Sequence, residues 1–138
     1  DGAEGMISWA KKKNKHANIT FICADVLSTL DLQHMQFDLA ITSYVAHGMI
    51  ERERKTLYAL LSRLGTKYVI IHDYNDRRSV LTSFIERLEG GDYFTFIRKA
   101  REEMEKCVSE MRTCFEKVEV VQVGKRANWY ICTPAKES

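Results

Sequence analysis

The chain has a single proline among its 138 residues, Pro134, near its end. With no proline elsewhere, neither a Pro-rich linker nor a proline-kinked helix is encoded. Long apolar runs are missing as well: none approaches the roughly 20 residues of a membrane span, and no signal-peptide pattern opens the chain. Neither sign of charge dominates, because 21 Lys and Arg face 19 Asp and Glu and leave a formal +2. That balance argues against a nucleic-acid groove or an anionic membrane surface as partner. The four cysteines, Cys23, Cys107, Cys114 and Cys132, lack CxxC spacing. They read as reduced, buried thiols of a cytoplasmic protein, and no metal site is expected. An initiator Met is also absent, so a segment upstream of Asp1 is expected.

What is present reads as one α/β domain over residues 1–138. Hydrophobic residues at 45% are enough to build a core in a chain of this length. Residues 3–14 predict a short helix with Met6, Ile7 and Ala10 on one side, ending in Lys11-Lys12-Lys13, where cations suit the helix dipole. Ile19 to Cys23 reads as a short strand, and Phe37 to Thr42 as a second, mostly apolar one of the buried parallel kind. Leu57, Leu60, Leu61 and Leu64 fall at helical spacing and predict a helix over 51–64, with Gly65 as its C-cap.

Tyr68 to His72 reads as the third strand. Val80, Leu81, Phe84, Ile85 and Leu88 form a helical stripe over 77–88, ended by Gly90-Gly91. Glu89 to Phe94 is punctuated like a lid turn, and a long helix follows over 92–114 with Phe96, Ile97, Ala100, Met104, Cys107, Val108 and Met111 on its apolar side. Val118–Val123 and Trp129–Thr133, joined by Gly124 to Ala127, read as a hairpin. Helices alternating with apolar strands and closed by a hairpin describe a doubly wound, mostly parallel sheet with an antiparallel end.

In such sheets ligands bind beyond the carboxyl ends of the strands. Asp25 stands at such an end and Asp1 just before the first predicted helix, and a carboxylate in either place can accept two hydrogen bonds at once or simply cap a turn or helix. Ser43-Tyr44-Val45-Ala46-His47-Gly48-Met49 follows the second predicted strand. The imidazole of His47 suits a general base, or else forms part of a wall. His72-Asp73-Tyr74-Asn75-Asp76 follows the third strand. That polar group suits the orientation of a small substrate, with strand-to-helix turn chemistry as the alternative.

The runs Asp1-Gly2-Ala3-Glu4-Gly5-Met6, Ile19 to Val26 and Phe37 to Ser43 resemble the class I S-adenosylmethionine (SAM) methyltransferases, a Rossmann-like family. The resemblance covers nearly the whole chain and lacks the family's first strand, Gly-rich loop, first helix and most of its second strand. It implies SAM as cofactor, with Asp1 and the adjoining Gly2 on the ribose, Asp25 on the adenine amino group and the Val26 N–H on a ring nitrogen. Ser43 and Tyr44 would lie by the sulfonium. His47 or His72 would serve as an optional base, and Asp73, Tyr74 and Asn75 would meet a small-molecule acceptor. The family's last strand lies antiparallel beside its fifth. No Asn-Pro-Pro-Tyr or Asp-Pro-Pro-Tyr run is present, so nucleobase or glutamine amino groups are not implied as acceptors. A non-catalytic relative that has lost cofactor binding, and a flavodoxin-like or other nucleotide module, remain the alternatives. Without the family's first strands, Ile19–Cys23 and one side of Phe37–Thr42 would be open edges, expected to pair with each other or with a second copy.

Overall fold

A computed structural model describes residues 2–28, 32, 34–75, 92–125 and 127–135, with the backbone alone for 92–102. Asp1, the predicted helix over 77–88 and Glu89 to Gly91 of the predicted lid turn lie outside the described residues. So do the side chains of Phe96, Ile97 and Ala100. The chain divides into two compact units, Asp1–Met35 and Gln36–Ser138.

In the first unit, helix α1 spans Glu4–Lys13, with Glu4 in its first turn and Lys11, Lys12 and Lys13 in its last. Both placements complement the helix dipole. The helix stops where Asn14 turns its side chain onto the backbone. Its Nδ2 donates to the His16 carbonyl at 2.7 Å, and its Oδ1 accepts from the His16 N–H at 3.0 Å. Such local bonds compete with helix continuation. The predicted strand over Ile19–Cys23 is not formed: the segment is irregular and belongs to no ladder. A strand is held by its neighbour's hydrogen bonds, and the described residues of the first unit supply only helical and turn segments to lie beside it.

The second unit runs β1 (Phe37–Ser43), α2 (Glu51–Leu64), β2 (Gly65–Tyr74), α3 (Asp92–Cys114), β3 (Phe115–Gln122) and β4 (Ala127–Pro134). The described strands form one sheet in the order β1-β2-β4-β3. Strands β1 and β2 are parallel, and β4 inserts antiparallel between β2 and β3. The sequence pattern predicts a doubly wound, mostly parallel sheet with an antiparallel end; the described sheet is mixed α/β, with one parallel and two antiparallel pairings, and it keeps the antiparallel hairpin.

The order of the strands decides where the core lies. The connections β1–α2–β2 and β2–α3–β3 both step across the sheet in the same direction. Right-handed crossovers that step the same way put their helices on the same face. Helices α2 and α3 accordingly pack together over one face, burying Leu57, Leu61, Leu64, Cys107 and Met111 against Val69, Ile71, Tyr130 and Cys132. Burial of each large aliphatic side chain contributes roughly 1.5–3 kcal/mol.

The expectation that β1 is buried on both faces is therefore corrected. Only Ala40 of β1 is buried, whereas Leu39 and Ile41 point away from the two helices and are 48% and 57% exposed. Gly65 is the helix C-cap, as expected, and also the first residue of β2, with a φ of −90° that is not that of a left-handed cap. Glycine is required there by space: a Cβ would lie 2.7 Å from the Tyr68 carbonyl oxygen and 2.8 Å from Val69 Cγ2. Among the cysteines, Cys107 and Cys132 are buried as expected, but Cys23 is exposed.

The two helices are also locked by a charge pair. Arg54 of α2, 2% exposed, donates through Nε and Nη2 to both carboxylate oxygens of Glu110 on α3, at 2.8 and 2.9 Å. Its Nη1 donates to the Met49 carbonyl at 2.7 Å and pairs with Glu103 at 2.6 Å. Every face of the guanidinium is thus engaged, as a buried arginine requires.

Candidate functional site

Because β1 and β2 are parallel, their carboxyl ends share one edge of the sheet. Ser43 and His72 are register partners there, and Ser43 Oγ lies 3.0 Å from His72 Nδ1. The chain then turns sharply. Tyr44 adopts φ 55°, a left-handed conformation that costs a non-glycine residue on the order of 1–2 kcal/mol. Its N–H donates to the His72 carbonyl at 2.8 Å, which holds the turn. Its ring packs on His72 and on Tyr74, with centroids 4.7 and 5.1 Å apart.

A short 3-10 turn over Ala46–Gly48 then brings His47 over the end of β2. His47 Nδ1 lies 2.9 Å from Asp73 Oδ1, and the His47 backbone N–H donates to Asp73 Oδ2 at 3.1 Å. The Tyr74 N–H donates to Asp73 Oδ1 at 2.8 Å. Asp73 is 1% exposed, whereas the His47 side chain is 38% exposed and meets the edge of the Tyr74 ring with centroids 4.8 Å apart. The Tyr74 carbonyl in turn accepts from the Tyr130 hydroxyl at 2.8 Å, tying the cluster to β4. Asn75 donates to the Lys125 carbonyl at 3.4 Å.

Six of the residues singled out from the sequence in the second unit (Ser43, Tyr44, His47, His72, Asp73 and Tyr74) therefore form one connected cluster. Asn75 turns instead towards the hairpin connection. The pairing of Asp73 with His47 is what the sequence reading missed, since Asp73 was expected to face a substrate. Its position two and four residues beyond the buried Ile71 and Val69 was the available signal, because alternate residues of a strand share a face. Arg54, which grips the Met49 carbonyl just beyond His47, gave no signal in an otherwise ordinary helix.

In the first unit, Asp25 is exposed and its Oδ1 accepts from the Leu27 N–H at 3.0 Å. The Ser28 N–H donates to the Asp25 carbonyl at 3.2 Å, closing a turn that begins at this aspartate. Gly2 is exposed, Val26 is half-buried, and the Cys23 thiol approaches the Gly2 carbonyl at 3.8 Å.

Residues 1–67 match the family model of a methyltransferase domain. The class I methyltransferase resemblance is borne out there. The matched stretch takes in the first unit together with β1, α2 and the start of β2, so it includes Ser43, Tyr44 and His47. The match supports methyl transfer in general, and the four-stranded, partly parallel sheet is consistent with that family's fold. No curated protein matches the chain. No described helix is long and apolar enough to cross a membrane, and no group of metal-ligating side chains occurs among the described residues.

Proposed function

We propose that this chain belongs to a SAM-dependent methyltransferase acting on a small molecule. The observation that carries the reading is the methyltransferase match over residues 1–67. The side chains present fit the cofactor in chemical kind: Asp25 offers an exposed carboxylate at the head of a turn, an acceptor for an amino group, and Gly2 offers exposed backbone. Asp1, Gly2, Asp25 and Val26 are the residues proposed for the adenosine, and Ser43 and Tyr44 for the sulfonium end. When bound, SAM supplies a methyl group on a sulfonium that leaves without needing a proton.

The chain's own task is then positioning, which accounts for most of the rate in such a transfer. The left-handed turn at Tyr44 fixes the loop that carries His47, and the aromatic walls of Tyr44 and Tyr74 shape the place for an acceptor. Open apolar edges extend the proposal to a second copy as a partner: β1 is a terminal strand of the described sheet, with exposed Leu39 and Ile41 beside it. Calorimetry with SAM and with its demethylated product, on residues 1–138 and on the full-length protein, tests the function. Binding by the full-length protein is expected. Failure of both to bind favours a non-catalytic relative and overturns the proposal.

A further inference from the structure

Resting on that reading, we infer that His47 is the general base, held in one tautomer by Asp73, for an acceptor that arrives still carrying its proton, a phenolic hydroxyl. The inference starts from the surroundings of the buried carboxylate. Asp73 is 1% exposed and acceptor-only, and it is met by three donors: the His47 N–H, the Tyr74 N–H and His47 Nδ1. The third contact, at 2.9 Å, is favourable only if Nδ1 carries its proton, since a lone pair there would face the carboxylate. The neutral ring then has its lone pair on Nε2, on a side chain that is 38% exposed. No described residue hydrogen-bonds to Nε2.

His72 is the weaker candidate. Its Nδ1 is engaged by Ser43 at 3.0 Å and its ring lies against Tyr44. No carboxylate among the described residues pairs with it. Of the two, His47 has the base-and-orienter arrangement.

The acceptor's class follows from the walls. Tyr44 and Tyr74, each 44% exposed, present aromatic surface beside His47, which suits a flat apolar ring. Among the described residues no Lys or Arg side chain hydrogen-bonds or ion-pairs with any member of the cluster. The nearby Arg54 is spent on Glu110, Glu103 and the Met49 carbonyl. An anionic acceptor such as a carboxylate or phosphate would find no cation among the described residues of the cluster, and a thiolate would need no base. A phenol needs both features that are present. Its O–H proton passes to His47 Nε2, leaving the electron pair on oxygen. That oxygen forms the new O–CH3 bond as the sulfonium's S–CH3 bond breaks, its pair staying on sulfur as a neutral thioether. The imidazolium, stabilised by Asp73, returns its proton to water.

The test uses 4-nitrophenol, whose absorbance separates phenol from phenolate, added to the full-length protein without SAM. The bound probe is expected to ionise more readily than the free one, by about tenfold, equivalent to one pKa unit. His47→Gln should abolish that shift while leaving the near-ultraviolet circular dichroism of the fold intact, and Asp73→Asn should reduce it. Nitrogen-15 NMR of the imidazoles should show His47 protonated on Nδ1. No binding of the probe, a shift that survives His47→Gln, or a His47 protonated on Nε2 would each overturn the inference. Because the assay contains no SAM, loss of the methyltransferase reading would appear separately, as failure of the calorimetry.

Discussion

Replacing Glu110 by Ala should be among the most damaging single changes in this chain. Arg54 is 2% exposed and Glu110 8%, and their two parallel hydrogen bonds of 2.8 and 2.9 Å join α2 to α3. Breaking a buried pair by removing one partner costs about 3–5 kcal/mol, because the remaining charge is stranded away from water. Two contacts survive in the variant, to the Met49 carbonyl and to Glu103, which places the expected loss near the lower end, about 3 kcal/mol. Glu103 provides the internal control. Its side chain is 42% exposed, so Glu103→Ala should cost no more than about 1 kcal/mol despite a 2.6 Å contact. Urea unfolding, followed by Trp129 fluorescence in the second unit, measures both. The pair also has a defined pH behaviour. The hydrogen bonds that Arg54 donates to Glu110 raise the Arg54 pKa above its ordinary value, so its contribution is complete below the unfolded pKa and is lost only as pH rises through the folded one. It should therefore persist through moderately alkaline solution. If Glu110→Ala loses less than about 1 kcal/mol, or if the two variants lose equally, the reading of α2 and α3 as joined by a buried, desolvated pair is wrong.

Tyr58 is fully buried and its hydroxyl has no hydrogen-bond partner among the described residues, so Tyr58→Phe should be neutral or stabilising by up to about 1–3 kcal/mol in the same urea assay. Gly65→Ala should destabilise by about 1–3 kcal/mol, since the added methyl meets the Tyr68 carbonyl and Val69 at contact distances no Cβ tolerates; a thermal melt reads the loss. Burial pushes the Cys107 thiol up to about 11 and the Cys132 thiol up to about 12, so a thiol reagent near neutral pH should label exposed Cys23 first and these two only on unfolding. The same raised values mean that both thiols favour folding fully below their unfolded pKa near 9, and that this contribution is lost between about pH 9 and pH 11–12. Cys132→Ala should flatten that alkaline limb of stability against pH.

Among the described residues, helices were legible in the sequence where a stripe of apolar residues was long enough to repeat. The Leu57–Leu64 stripe placed α2 at its observed bounds, and Met104, Cys107 and Met111 placed α3 against the core. Strands were legible only where a neighbour completes them. Ile19-Thr20-Phe21-Ile22-Cys23 has the composition of a strand and no ladder, because composition supplies side chains for a sheet but not the adjoining donors and acceptors. The apolar run of β1 was read as buried on both sides by the same local logic. Its exposure instead follows from strand order, which puts both described crossover helices of the second unit over one face. That order depends on which strands pair, a property no local window contains.

The candidate site shows the same division between what is local and what is paired. Ser43, His47, His72, Asp73 and Tyr74 were selected one by one because they follow parallel strands, and proximity to a carboxyl edge is a local property. Their roles are pairwise. Asp73 shares the strand with Val69 and Ile71, and its side chain faces inward with theirs, while His72 and Tyr74 face outward. Position after a strand therefore could not separate a residue that meets a ligand from one that stands behind it. The inward parity makes Asp73 a residue without solvent, and a carboxylate without solvent must find donors. The donors it finds are two backbone N–H groups and one imidazole, so the carboxylate that looked most available to a substrate is the one spent on His47.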